Sequence, residues 1–229
     1  MHAASLLAVA SAFLLAASAQ AAPLEARQSQ LSCQPPSVGK LVSTGPSGVP
    51  RAVAFQSARD SSGNRLLSTS VGSTPATTNK DEFRFQRCFS SNLPSEPVVD
   101  ASTGAVTSFG RVQVTSNIKK CITAKSFGQA GKANSLISTD CHTTDSTALI
   151  DQWFALTTVR LPSDSNGNPV YRQTLNFVGR YKNEPKRNYG WTNVAENNAR
   201  LVKTVLSEDP NASTGYTLTF VEDEAASQT

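Results

Sequence analysis

One short pattern occurs three times, in the same order, along this chain. It reads Arg65-Leu66-Leu67-Ser68-Thr69-Ser70-Val71, then Ser135-Leu136-Ile137-Ser138-Thr139-Asp140-Cys141, then Arg200-Leu201-Val202-Lys203-Thr204-Val205-Leu206. The leading leucines lie 70 and then 65 residues apart. An aromatic residue, Phe83, Trp153 or Tyr216, follows its leucine at 17, 17 or 15 residues. A fixed order at a near-constant period marks one supersecondary unit used three times. That limits the fold more tightly than composition does.

The ends lie outside this pattern. Leu6 to Ala19 is an apolar run without charge, followed by Ala19-Gln20-Ala21, a small-residue cleavage pattern. Residues 1–21 are therefore expected to be a signal peptide and the protein to be secreted. The run is too short for a membrane span, and no later stretch reaches the roughly 18–20 apolar residues a span needs. Residues 22–37 read as a pro-segment or disordered N-terminus. Their start, Ala22 to Gln28, resembles the short pro-segments of fungal secreted proteins, with Arg27 as the cut site. About 200 residues remain, enough for one domain with a full core over 38–221, and 222–229 reads as a flexible acidic tail. The formal charge of +4 is spread along the chain, and Lys182 to Arg187, the densest basic run, contains Glu184 and Pro185. A nucleic-acid groove needs a sustained basic stripe, so no nucleic-acid partner is expected. Asn211-Ala212-Ser213 is an N-glycosylation sequon, expected on a surface loop.

Four cysteines in an oxidising compartment default to two disulfides, with three possible connectivities. Cys121–Cys141 within the second unit, with Cys33–Cys88 tying the N-terminus to the first, is the favoured pairing. Zinc is disfavoured because the cysteines lack any paired short spacing.

Strand signals dominate the body of the chain. Val53 and Phe55, Val112 and Val114, and Tyr216, Leu218 and Phe220 each alternate with other residues at period two, the signature of a half-buried strand. Turn-forming clusters at 60–64, 102–104 and 163–169 separate such runs. Each unit then supplies four strands. The first lies near Leu41, Val112 or Leu175, and the second near Val53, Cys121 or Tyr189. The leucine pattern is the third, and the aromatic segment the fourth. The fold class expected is all-β: a β-trefoil of three four-stranded repeats, with Phe83, Trp153 and Tyr216 in its buried layers.

The second unit carries a resemblance. Lys120-Cys121-Ile122-Thr123, Leu136-Ile137-Ser138-Thr139-Asp140-Cys141 and Asp151-Gln152-Trp153-Phe154 together resemble one repeat of the ricin B-type lectin family. The likeness is weaker in the other units and spans roughly 38–221. It implies a secreted carbohydrate-binding module. The acidic residue that follows the Cys-Leu strand in sugar-binding members has no counterpart in Thr123-Ala124-Lys125, so that role is not carried over.

Enzyme chemistry is not expected. The mature chain has one histidine, His142, and no Gly-x-Ser-x-Gly elbow. It is read as an exposed strand-end residue. No phosphate loop or dinucleotide fingerprint occurs, and no cofactor or metal is expected. For binding, Tyr181 to Asn193 gathers aromatics, amides and charge near one turn. Tyr189, Trp191, Asn183 and Asn193 are the candidate ligand-binding residues. Against this, Tyr189 and Trp191, two apart, also fit the core face of a strand. The partner expected is a glycan or an extracellular protein, bound by a monomer. The rival function is a secreted protein-binding module, such as a protease inhibitor or host-directed effector.

Overall fold

The computed structural model describes residues 29–69, 81–196, 199–209 and 213–222. The expected signal peptide, Arg27, Asn211 and the expected tail after Glu222 lie outside these residues. The strands, in chain order, are β1 (Ser32–Cys33), β2 (Ser37–Thr44), β3 (Pro50–Arg59), β4 (Arg65–Thr69), β5 (Phe83–Phe89), β6 (Val98–Val99), β7 (Val106–Val114), β8 (Asn117–Ala124), β9 (Ala133–Asp140), β10 (Phe154–Leu161), β11 (Val170–Phe177), β12 (Asn188–Glu196), β13 (Ala199–Ser207) and β14 (Thr217–Glu222). A 3-10 turn, Thr147–Gln152, precedes β10. No helix among the described residues is long and apolar enough to cross a membrane.

All ladders are antiparallel. The hydrogen-bonded circuit runs β2–β14–β11–β10–β7–β8–β9–β13–β4–β3 and returns from β3 to β2, closing a barrel of ten strands. β1, β5, β6 and β12 lie outside this circuit; β5 pairs with both β2 and β7, and β12 with β13. The expected β-trefoil of three four-stranded repeats is corrected to a closed β-barrel with outer strands. The hydrogen bonds that carry the circuit onward join β4, β9 and β13, through Leu66 to Ile137, Lys203 to Ser135 and Leu201 to Ser68. Those partners are about 65 to 135 residues apart in sequence, and a period in the sequence does not say which copies bond. β1 pairs with the end of β5, and Gln30 bridges to Thr144.

Period-two alternation sets the core. Phe83 and Phe85 on β5, Tyr189 and Trp191 on β12, and Leu218 and Phe220 on β14 point inward, with more exposed residues between them. They join Leu41, Val53, Phe55, Leu136 and Phe154 in the main core. The leucine copies are not in step. Leu67, Leu136 and Val202 face the main core, whereas Leu66, Ile137 and Leu201 form a small separate cluster. A one-residue slip in the second copy exchanges its two faces.

Trp153 is also relocated. It is fully buried, but it precedes β10 and packs with Leu31, Leu93, Phe109 and Leu149 in a second cluster. Its indole N–H donates to Pro94 O at 2.7 Å. Phe154, one residue on, takes the main-core position expected for Trp153, and Tyr216 lies just before β14, half-buried. Two disulfides, Cys33–Cys88 and Cys121–Cys141, leave no free cysteine among the described residues. The first fastens the N-terminal strand beside the Trp153 cluster; the second joins the start of the β8–β9 hairpin to its exit. Such bonds persist in oxidising compartments. Gly110 on β7 pairs with both β5 and β10, and a Cβ there would overlap the Gln86 carbonyl. Only glycine permits that approach.

Candidate functional site

The β8–β9 hairpin and the 3-10 turn together frame a cleft of about 560 Å³. Thr123, Lys125, Ser126 and Phe127 come from the first strand and its turn, Thr139 and Asp140 from the second, and His142 and Asp151 from the chain that follows. Ser126 adopts the left-handed region at φ 59°, and the following Phe127 ring packs against the main core. That ring meets Phe177 edge-on, 5.2 Å between centroids, and stays half-exposed.

One side chain organises the floor. Gln152 is fully buried. Its amide nitrogen donates to Asp140 O at 2.8 Å, Thr123 Oγ1 at 3.0 Å and Thr139 Oγ1 at 3.1 Å. Its amide oxygen accepts from the His142 backbone N–H at 2.9 Å. Buried polar groups need such partners, so Gln152 fixes where the exit of β9 lies relative to the 3-10 turn. It thereby places His142 opposite Asp151, with His142 Nε2 3.4 Å from Asp151 Oδ1. That oxygen is buried without a hydrogen bond of good geometry. Burial pushes the Asp151 carboxyl above the ordinary carboxylate value, against the opposing pull of His142. At the cleft edge, Lys120 pairs with Asp140 at 2.8 Å and Lys125 with Asp60 at 2.9 Å.

The four residues singled out in the sequence do not share a pocket. Tyr189 and Trp191 are core residues, 5% and 2% exposed. Tyr189 meets Phe177 edge-on at 4.9 Å, and the Trp191 indole N–H donates to Leu175 O at 2.7 Å. Asn193 is occupied with Ser43, donating to its hydroxyl at 3.1 Å. Asn183 is exposed on the turn before β12. Sequence reasoning passed over Asp151, Gln152 and Phe127 and set His142 aside. The one available signal was a carboxylate, Asp151, nine positions after His142 and next to the Gln-Trp pair.

Among the described residues no group of three or more histidine, cysteine or acidic side chains is placed to hold a metal ion. No family model matches the chain, and no curated protein matches it. With neither a matching family nor a three-repeat fold, the resemblance to the ricin B-type lectins is withdrawn.

Proposed function

We propose that the protein is a secreted carbohydrate-binding module that holds a sugar in the Asp151–His142 cleft and leaves it uncleaved. The carrying observation is the half-buried Asp151 carboxylate, whose Oδ1 faces His142 Nε2 at 3.4 Å without a well-formed hydrogen bond, set in a cleft beside a half-exposed aromatic ring. A carboxylate so weakly held by the protein has room for a further donor, and a sugar hydroxyl supplies one. His142 lines the same cleft and can bond a neighbouring hydroxyl, and the Phe127 ring offers an apolar surface to sugar C–H groups. Secretion is supported by the apolar leader and agrees with two disulfides. The module acts as a monomer and needs no cofactor.

A glycan array followed by calorimetry on the best oligosaccharide tests this reading. A hydrogen bond to a charged group is worth about 1.5–3 kcal/mol, so Asp151→Asn is expected to weaken binding tenfold or more. The same change should raise stability at neutral pH. A carboxyl whose folded value lies above its unfolded value loses stability as pH rises through that window, and asparagine removes the loss. Equal affinity in Asp151→Asn, or an array on which nothing binds, rejects the proposal. Release of reducing ends during incubation rejects the non-catalytic part. Retention on a protease column with a silent array favours the protein-binding alternative.

A further inference from the structure

A second cleft, of about 400 Å³, shares no lining residue with the Asp151 cleft. Its floor is set by register. Phe109, Ala155 and Asn176 lie side by side across β7, β10 and β11, and Thr107 pairs with Thr157 in the next row. The two threonine hydroxyls are 2.9 Å apart. The wall comes from the segment leading into β12, which brings Arg180, Lys186 and Arg187 to the rim. Among the described residues no acidic side chain lines this cleft. The nearby Glu184 is engaged by its neighbours: it accepts from Arg187 at 3.3 Å, its carboxylate accepts the Tyr181 N–H, and its carbonyl accepts from Arg180.

A second observation points to a ligand. Tyr189, 5% exposed, lines the cleft, and its hydroxyl has no hydrogen-bond partner of acceptable geometry. Arg187 is the cation that acts on this phenol, with Glu184 also within electrostatic reach, and a hydroxyl without a well-formed bond in the protein suits an acceptor brought from outside. The amide of Asn176 and the paired threonines offer both donors and acceptors, which suits hydroxyls rather than a hydrocarbon ligand.

We propose that this cleft binds an acidic saccharide, its carboxylate or sulfate held by Arg180, Lys186, Arg187 and the Tyr189 hydroxyl, and its ring hydroxyls by Asn176 and Thr157. The inference rests on the carbohydrate reading of the protein but uses a different surface. Arginine and lysine recognise such oxyanions through charge-assisted hydrogen bonds. Carboxylate and sulfate are the two sources of the same chemistry.

The test is titration of isotope-labelled protein, followed by NMR, with trigalacturonate, a sulfated heparin disaccharide, maltotriose and sodium sulfate. Trigalacturonate, the sulfated disaccharide or both should shift the resonances of Asn176 and Arg187. Whichever binds identifies the anion. Lys186→Gln with Arg187→Gln should weaken that binding tenfold or more. Tyr189→Phe should weaken it fivefold or more without lowering the melting temperature, because the hydroxyl it removes is unsatisfied in the free protein. Maltotriose binding here as tightly as the acidic probes, sulfate alone binding as tightly as they do, or unchanged affinity in either variant overturns the proposal. Shifts confined to the Asp151 cleft refute this inference and leave the proposed function standing. Shifts at Arg187, with an Asp151→Asn variant indistinguishable from the parent, do the reverse.

Discussion

Replacing Gln152 with methionine removes its hydrogen bonds while keeping nearly the same length and volume. The structure says which groups are then stranded. Thr123 and Thr139 retain each other, because their hydroxyls are 2.5 Å apart. The His142 N–H loses its acceptor and the Asp140 carbonyl its closest donor. A buried group left unpaired costs about 1–3 kcal/mol; the His142 N–H bears that cost, while the Asp140 carbonyl, on an exposed residue, keeps a long contact from Thr139 at 3.5 Å, so about 3 kcal/mol is expected in total. That is a sizeable part of the roughly 5–15 kcal/mol that holds most domains folded. With a urea slope of about 2 kcal/mol/M, the denaturation midpoint should fall by about 1.5 M. Gln113→Met is the reference. Gln113 is also buried but donates a single bond, to Ile118 O at 2.9 Å, and its loss should cost about 1 kcal/mol. Urea titration of both variants, with disulfides intact, measures the two costs. Gln152→Met shifting no more than Gln113→Met would refute the idea that this amide is the keystone of the hairpin. A second readout follows from the site. Since Gln152 places His142, its loss should weaken binding at the Asp151 cleft even under conditions where the variant is fully folded.

Three further outcomes follow from the same geometry. Asp60 accepts from Lys125 at 2.9 Å and from the backbone of Ser62 and Asn64, which holds its carboxyl well below the ordinary value of 3.8. A depressed folded value gives stability that is present above 3.8 and lost progressively as pH falls from there through the lower folded value, so Asp60→Asn should flatten the acid side of the stability profile, and an unchanged acid limb would contradict this. Loop entropy predicts that removing Cys33–Cys88, with a sequence separation of 55, costs about 4 kcal/mol, and that removing Cys121–Cys141, with a separation of 20, costs about 3 kcal/mol. Paired serine variants in guanidinium titrations should show that order, and its reversal would place the effect outside loop closure. Gly110→Ala forces a methyl group into the Gln86 carbonyl and should destabilise by about 3 kcal/mol, whereas Gly190→Ala meets only the Thr214 side chain, which can rotate away. Equal melting temperatures for the two variants would show that β5 and β7 can separate without cost.

Much of the strand content was legible in the sequence. Val53 and Phe55, Val112 and Val114, and Leu218 and Phe220 lie in strands and face the main core, because alternation on a pleated backbone is a local property. Trp153 was legible as buried but not as to where. The residue at which β10 begins decides whether Trp153 or Phe154 faces the main core, and a shift of one position exchanges the two. The same holds for Leu136 and Ile137. The cleft was less legible than the strands. Asp151 and His142 are ordinary residues in sequence, and their 3.4 Å approach exists only because Gln152 clamps the end of β9 to the turn before β10.

By itself, then, the sequence determined an all-β chain and many of its inward-facing apolar positions. Each of these depends on neighbours within a few residues. The tertiary structure alone decided that β4, β9 and β13 bond to one another and carry a ten-stranded circuit to closure. It also decided that Tyr189 and Trp191 turn inward, and that the candidate ligand surfaces lie at Asp151 and beside Arg187. Those outcomes depend on hydrogen bonds and packing between residues far apart in the chain, and no local pattern encodes which distant partner completes them.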